Sequence, residues 1–414
     1  MRRCLRPLNL VDEVASFLPP GVGAAATTAA EMLRRLVRVS SIRFPLLRLT
    51  GKGPDGPLVC ILAADQMAGR WWTRTLFREE PTQNLLGVIG PRAARAAVAE
   101  VADGADITIH QTPWPLTRAH TDGATVPSSV PLWLDTSRPF DAIVYGDRRG
   151  RGSRKDDARR VRRLALRPRL ARGTRAVERF RRELYEPYAA RRFGDLFLRV
   201  PAHAFRHAER RGWLLLLEDR DRTVAGALLE RWGRDHRILA FGVVLEDVIP
   251  SGLLLEACYY HTIRFATEAG FPRLSLGTAR PLLADGVLRY KRKWGASLGR
   301  PSTWETFALR YRNTPATRAA LAAAPLVVDR GREGLAVLVA SGERSPAAAI
   351  ADVDTPGLAT IAVLVDETPV VLAPPDPRVR LVPPAEAWPA EATLGHPLAA
   401  EPPVRDAETV ATAR

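Results

Sequence analysis

The sequence has few of the residues that metal sites and disulfide frameworks need. It contains three cysteines in 414 residues, and no two of them have metal-ligand spacing. An odd number of widely separated cysteines also argues against a disulfide framework and favours a reducing compartment. The seven histidines are scattered, and the one close pair, His203 and His207, has no acidic or cysteine ligand beside it. We therefore predict no metal site.

Long apolar runs are also missing. No stretch of 18 or more apolar residues occurs, so we expect no transmembrane helix. The N-terminus starts with basic residues, but Asp12 and Glu13 interrupt its apolar residues, so it lacks the core of a signal peptide. These features favour a cytoplasmic protein.

Lysine is nearly absent, although the chain is strongly basic. Only four of the 61 lysine and arginine residues are lysine, namely Lys52, Lys155, Lys291 and Lys293. A coding bias explains arginine in place of lysine, but it does not explain the net charge of +16. Such an excess favours an anionic partner: nucleic acid, a phosphorylated substrate or an anionic membrane surface.

The length allows two or three domains, and the composition changes along the chain. We predict a leader over 1–40 that contains an amphipathic basic helix, and a mixed α and β half-domain over 41–150. A second domain covers 151–312. Residues 313–414 form an extension of short strands that becomes rich in proline, and we expect it to be partly disordered.

The second domain has the clearest order of predicted elements. The run "LALRPRL" predicts a strand that Pro168 restricts to a sheet edge, and "TRAVERFRRELYEPYAARRFG" predicts an amphipathic helix. Three strands separated by the short turns "RDRT" and "RDH" predict an antiparallel meander. A helix beginning at Pro250-Ser251-Gly252, the strand "RLSLGT", a short helix and the strand "TWETFALRYR" complete the domain.

This order, together with "VAGALLE", "HTIRFATEAG" and "DGVLRYKRKWGA", resembles the FemAB-like branch of the GNAT acyltransferases. The resemblance covers about 150–312 and rests most on Tyr290-Lys291 followed by Trp294-Gly295. It implies an α/β fold of the α+β type, with a GNAT-like mixed sheet, flanking helices and two tandem halves. In such folds the third meander strand and the strand after it splay apart to admit a ligand.

The resemblance also implies roles for individual residues. Lys291 would neutralise the transition-state oxygen of acyl transfer or a phosphate of the donor, and Glu246 would be a general base. Tyr290 and Trp294 would shape the donor channel. The residues expected to bind the cofactor are Gly242, Val243, Ser251, Gly252, Trp294 and Gly295. The donor would be acetyl-CoA or another acyl-CoA, with its phosphates at the helix N-terminus, or alternatively an aminoacyl-tRNA. The glycine-rich phosphate loop of most acetyl-CoA enzymes is missing from "EDVIPSGLLLEA".

Simpler interpretations remain open for the same residues. "YKRKW" could be an exposed basic turn with Trp294 inserted into the core, and Glu246 could be a turn carboxylate. The arginine-rich segment 148–182 could grip tRNA or nucleotide phosphates, contact an anionic membrane peripherally, or be a solvated face.

Two functions follow. The first is an N-acyltransferase that moves an acetyl or aminoacyl group to an amine acceptor, either a small molecule or a lipid-linked one, such as a cell-envelope sugar or a peptidoglycan precursor. The second is an inactive GNAT-like scaffold that binds nucleic acid or other anionic ligands through segment 148–182.

Overall fold

The computed structural model describes residues 42–113, 123–145, 151–194, 200, 202–245, 249–301, 305–341, 346–364 and 378–382. The predicted leader helix and Glu246 lie outside these residues. Within them, the chain forms three mixed sheets with flanking helices, which confirms the predicted mixed α/β class. No helix in this part of the chain has both the length and the hydropathy of a bilayer-spanning segment.

The first sheet contains six strands: β1 (Phe44–Gly53), β2 (Gly56–Ala63), β3 (Thr82–Ile89), β4 (Ile107–Pro113), β5 (Ala124–Pro127) and β13 (Glu305–Tyr311). Their order is β3-β1-β2-β4-β13-β5. β1 and β2 form the hairpin expected from the apolar runs around the Gly-Pro-Asp-Gly turn. Helices α1 (Gln66–Leu76) and α2 (Ala94–Glu100) pack on this sheet, and α1 buries Trp71 and Trp72 against Phe307.

The second sheet contains seven strands: β6 (Val130–Asp135), β7 (Arg167–Ala171), β8 (Gly212–Asp219), β9 (Arg222–Trp232), β10 (Asp235–Val243), β11 (Arg273–Ala279) and β12 (Ser297–Leu298). Their order is β12-β6-β11-β10-β9-β8-β7. The predicted meander is confirmed, because β8, β9 and β10 pair antiparallel in sequence. β7 lies at the edge, where Pro168 costs no pairing in the interior of the sheet.

The helices that follow α2 are α3 (Phe140–Tyr145), α4 (Arg151–Arg163), α5 (Thr174–Phe180), α6 (Glu186–Phe193), α7 (Ala202–Arg211), α8 (Ser251–Glu268), α9 (Gly286–Lys293), α10 (Pro315–Ala323) and α11 (Pro346–Val353). The amphipathic helix predicted after residue 173 is present as α5 and α6. A π-helical turn (Arg181–Tyr185) joins the two.

The predicted domain boundaries at 150 and 312 do not separate the sheets. β6 precedes the first boundary, yet it pairs with β11 in the second sheet. β13 precedes the second boundary, yet it pairs with β4 and β5 in the first sheet. The two strands have therefore exchanged places relative to the prediction. An alternating apolar pattern specifies a strand and its buried face, but it does not specify which distant strand will be the partner.

The third sheet is built from the short strands predicted in the C-terminal extension, which the sequence did not assign to a sheet. Its strands are β14 (Leu326–Asp329), β15 (Leu335–Ala340), β16 (Leu358–Leu364) and β17 (Val379–Val382). In β15, Val337 and Val339 pack into the core of the second sheet, whereas Leu338 packs into the core of the first. The third sheet thus fills the space between the other two, because both of its faces are apolar. The proline-rich range 374–403, where a loosely ordered end was expected, is described only at residues 378–382, which include β17.

Gly242 in β10 allows close packing of the π-helical turn. A Cβ at this position would lie 2.7 Å from the carbonyl carbon of Leu184 and 2.7 Å from the amide nitrogen of Tyr185. The sequence predicts that a ligand approaches Gly242 closely. On this side the atoms that do so are backbone atoms of the protein itself. Its neighbour Val243 is buried in the core.

This packing predicts different effects for two glycines that the sequence assigns to cofactor binding. Gly242→Ala should lower the free energy of unfolding by roughly 1–3 kcal/mol, because backbone must move to admit the methyl group. Gly252→Ala should change it by less than about 0.5 kcal/mol, because no atom lies within 4 Å of the added Cβ. Urea denaturation followed by circular dichroism measures both. Equal effects would contradict the packing role of Gly242.

Candidate functional site

β10 and β11 separate soon after they meet. They pair in parallel at only two positions, His236 with Leu274 and Arg237 with Ser275. Beyond these pairs β10 continues along β9 as far as Val243, and β11 continues along β6. The facing edges of β10 and β11 are therefore not paired with each other from Ile238 onwards. The expectation that the third meander strand and the next strand splay apart is confirmed.

Irregularities in both strands accompany the separation, because β10 shifts register against β9 between Ile238 and Ala240 and β11 contains a bulge. The register between β11 and β6 shifts between Ser275 and Thr278, and Gly277 has a φ of 78°. That left-handed conformation strongly favours glycine. The amide of Gly277 donates to the Ser275 Oγ at 3.2 Å, which stabilises the bulge locally. The irregularity on the β11 side is thus encoded in "SLGT".

Lys291 lies at the apex of this gap. Its helix, α9, is capped by Asp285, whose carboxylate accepts hydrogen bonds from the amides of Val287 and Leu288. The Lys291 side chain is buried, and its Nζ donates to the Thr278 carbonyl at 2.7 Å. A Cβ placed on Gly277 would lie 3.5 Å from this Nζ and 3.9 Å from the Ile238 carbonyl oxygen. The amine therefore sits where the two strands part.

The environment of Lys291 changes its acidity. Burial lowers the pKa of the amine from 10.5 to about 7, and the Asp285 carboxylate opposes this only in part. In the described part of the chain, no carboxylate forms an ion pair with Lys291. The amine is therefore close to half-protonated at neutral pH. The alternative that "YKRKW" is an exposed basic turn is wrong for Lys291.

Lys293 has a different role from Lys291. It forms an ion pair with the buried Asp157 of α4, and Asp157 also accepts from Arg160 at 2.6 Å. The Lys293 ammonium lies 5.6 Å from the centre of the Tyr290 ring. The two neighbouring lysines thus separate into one that fixes α9 to α4 and one that occupies the gap.

The aromatic residues of this stretch support the site from behind. Trp294 is fully buried and lies parallel to Tyr259 of α8, with ring centroids 6.3 Å apart. Tyr290 is half-buried and meets Tyr259 edge to face at 5.1 Å. Burial raises the pKa of the Tyr290 hydroxyl, so this residue stays neutral. Trp294 thus occupies the core, as the simpler interpretation proposed, rather than the wall of a donor channel.

Gly295 makes the turn that ends α9. Its φ is 86°, and a Cβ there would lie 3.1 Å from a guanidinium nitrogen of the buried Arg154. Glycine is therefore required both for the backbone conformation and for the close approach of α4.

The start of α8 is open to a ligand. Pro250 is its N-cap and makes no side-chain cap, and the first turn contains no acidic residue. Ser251 is half-buried and Gly252 is exposed. The first amides of an uncapped helix carry partial positive charge and can bind an anion. This is compatible with the predicted phosphate-binding role of Ser251 and Gly252, which stays a prediction.

Within the described residues Arg162, Arg163, Arg172 and Arg175 are exposed and form no ion pair, but several other arginines of segment 148–182 have carboxylate partners. Those with an exposed or half-exposed side chain form the ion pairs Arg159–Asp156, Arg160–Glu256, Arg169–Glu218, Arg179–Glu183 and Arg181–Glu178. Each such pair neutralises positive charge that a phosphate backbone would otherwise attract. The positive charge of the segment is thus neutralised in part, and Arg162, Arg163, Arg172 and Arg175 keep an exposed positive charge.

Three features of the site are not visible in the motif. The Thr278 carbonyl that accepts from Lys291 is a backbone group, so residue type gives no signal for it. Asp157 lies 136 positions before Lys293 in the sequence. It stands in the arginine-rich segment 148–182, where nothing distinguishes it from the other carboxylates. Arg280 follows β11 and contacts Trp71 of α1, which packs on the first sheet. This contact can be predicted only when the arrangement of the sheets is known.

No protein-family model and no curated protein matches this chain. Among solved structures, L-PGS from Bacillus licheniformis is similar at 11% identity over 64% of this chain and 84% of that chain, with a TM-score of 0.32. FemX is similar at 14% identity over 63% and 83%, with a TM-score of 0.33. A GCN5-related N-acetyltransferase from Anabaena variabilis ATCC 29413 is similar at 11% identity over 68% and 62%, with a TM-score of 0.28. At these scores no activity is transferred to the chain.

The lowered pKa of Lys291 predicts a pH-dependent gain of stability in Lys291→Met. Between pH 7 and 10.5 the unfolded state holds a proton that the folded state has released, so the wild type gains stability as pH rises. The variant lacks this gain. The free energy of unfolding of Lys291→Met minus that of the wild type should therefore be largest at and below pH 7. At pH 9 this difference should be about 2 kcal/mol smaller.

Urea denaturation of both proteins at pH 7 and pH 9 measures this difference. Lys52→Met is the control, because Lys52 is exposed and its substitution should give the same small difference at both pH values. A Lys291→Met difference that does not change with pH would show that the amine titrates normally.

The Asp157 ion pairs predict a large difference between two adjacent carboxylates on α4. Asp157→Ala should lower the free energy of unfolding by about 3 kcal/mol, because Lys293 would remain largely buried without its partner. Asp156→Ala should change it by less than about 0.5 kcal/mol, since the Asp156 side chain is 59% exposed. Similar losses in the two variants would argue against the role of Asp157 in fixing α9.

Proposed function

We propose that the chain is an acyltransferase that moves an acetyl or aminoacyl group to an amine acceptor, with Lys291 acting on the reacting carbonyl. The observation that carries this proposal is the buried Lys291 amine at the apex of the gap between β10 and β11. A buried lysine without a carboxylate partner costs stability, so its retention calls for a function.

The chemistry of acyl transfer gives the amine a role. When an amine attacks an acyl carbonyl, negative charge develops on the carbonyl oxygen. A protonated Lys291 held by the Thr278 carbonyl is a compact cation that can stabilise this oxygen without reorganising. Its pKa of about 7 leaves a substantial protonated fraction at neutral pH, and a bound anionic donor would increase that fraction.

The gap offers a place for an acyl donor. Backbone groups of β10 after Arg237 and of β11 after Ser275 are not paired across it, so an extended ligand that contains amides could pair with them as a strand would. When bound, an acyl-CoA would supply the activated thioester carbonyl. Ser251 and Gly252 at the start of α8 would hold its phosphates. An aminoacyl-tRNA is the alternative donor, and Glu246 stays the predicted base.

The amine acceptor would be a small molecule or a lipid-linked precursor. The inactive nucleic-acid-binding scaffold stays the alternative, because carboxylates neutralise only part of segment 148–182 and Arg162, Arg163 and Arg175 are exposed without an ion pair among the described residues. It is less well supported because it gives no role to the buried Lys291 amine. We therefore retain the acyltransferase as the proposed function.

This proposal predicts that Lys291→Ala lowers kcat/KM by about 10²- to 10³-fold while the protein stays folded, because an oxygen-stabilising donor is lost. Release of coenzyme A thiol from acetyl-CoA in the presence of a panel of amines measures turnover. Arg289→Ala is the control, because Arg289 is exposed on the same helix. An unchanged rate in Lys291→Ala would remove this residue from the mechanism.

A further inference from the structure

Arg280 stands at the open end of the gap in a fixed position. It follows the last residue of β11, where Thr278 and Ala279 pair with β6. After it, Pro281 accepts a hydrogen bond from the Val327 amide at 2.8 Å, which ties the chain to β14. Backbone pairing on both sides therefore holds Arg280 where the three sheets come together.

The guanidinium of Arg280 packs on the first sheet but has no anionic partner. Its Cζ lies 5.6 Å from the ring centre of Trp71 in α1. Within the described residues it forms no hydrogen bond and no ion pair, in contrast to Arg160 of α4 and Arg179 of α5. Burial lowers the pKa of Arg280, the nearby Arg74 lowers it further, and Asp285 opposes both. One oxygen of Asp285 is already engaged as the cap of α9.

The unused donors of Arg280 point to a ligand. The contact with Trp71 leaves the guanidinium N–H groups of Arg280 without acceptors among the described residues, and such groups match the oxygens of a phosphate or carboxylate. The positive charge of Arg74 repels that of Arg280, and the negative charge of Asp285 attracts it. With Asp285 counted, these three groups carry a net charge of +1, which favours an anionic ligand, and a phosphate offers the guanidinium more acceptor oxygens than a carboxylate does.

We propose that Arg280, with Arg74 beside it, binds a phosphate group of the substrate at the junction of the first and second sheets. This inference rests on the proposed function, because Arg280 is two residues from Thr278, whose carbonyl positions the Lys291 amine. A substrate with its reacting carbonyl at Lys291 would extend past the end of β11 and place a phosphate against Arg280. The site would thus select substrates that carry a phosphate.

Calorimetric titration of the full chain with inorganic pyrophosphate tests this site without requiring turnover. The wild type should bind it saturably, near one site per chain. Arg280→Gln, which keeps a planar group over Trp71, should bind roughly ten- to a hundredfold more weakly, because charge-assisted hydrogen bonds are lost. Arg280→Lys should fall between the two. Arg289→Ala should bind as the wild type does, and circular dichroism checks that each variant is folded.

The same variants titrated with coenzyme A and with malonate define the ligand. If coenzyme A binding also depends on Arg280, the phosphate belongs to the donor; if only pyrophosphate binding does, it belongs to the acceptor. Either result supports the site. Absence of saturable pyrophosphate binding, equal binding by Arg280→Gln, or tighter binding of malonate would overturn it. Lys291→Met should keep its pyrophosphate binding, so failure of the proposed chemistry and failure of this site are distinguishable.

Discussion

The separation of β10 from β11 is the constraint on which the rest of the site depends. Neighbouring strands gain stability from a continuous ladder, and here the ladder stops after two residue pairs. β11 pairs with β6 on both sides of the bulge at Gly277, and the amine of Lys291 enters at the point where β11 leaves β10. A group that is costly to bury and a ladder that is costly to interrupt occur at the same place, which is typical of functional sites.

The two sides of the gap are held by different parts of the chain. β9 supports β10, whereas β6, which comes from the N-terminal part of the sequence, supports β11. The third sheet packs against both cores and fixes the chain just after Arg280. Both the pairing of β6 with β11 and the packing of the C-terminal strands therefore limit movement of β11 relative to β10.

Local patterns predicted most of the elements, since short turns and apolar periodicity are encoded within a few residues. The meander, the edge strand containing Pro168 and the helix beginning at Ser251 are examples. The motif around Lys291 also singled out the lysine that the fold buries at the separation of β10 and β11, whereas its catalytic role stays a prediction. The pairing of β6 and β13 was not predictable, because many strands of similar pattern could serve as partners.

Gly242 and Trp294 show a second limit of sequence reasoning. Both belong to the motifs assigned to the ligand, yet Gly242 admits a π-helical turn and Trp294 fills the core. A small residue signals that something approaches closely, but it does not reveal whether that is ligand or protein. The reverse holds for Asp157 and Arg280, whose partners and contacts follow only from the packing of distant elements.

The most direct test of the central claim is an NMR titration of the protein labelled with ¹³C at the lysine Cε, with and without acetyl-CoA. The chain has four lysines, so four signals are expected, and Lys291→Met assigns one of them. We expect the Lys291 signal to titrate with a pKa of about 7, and its pKa to rise when the donor is bound. Four signals that all titrate near 10, and that acetyl-CoA leaves unchanged, would contradict the account.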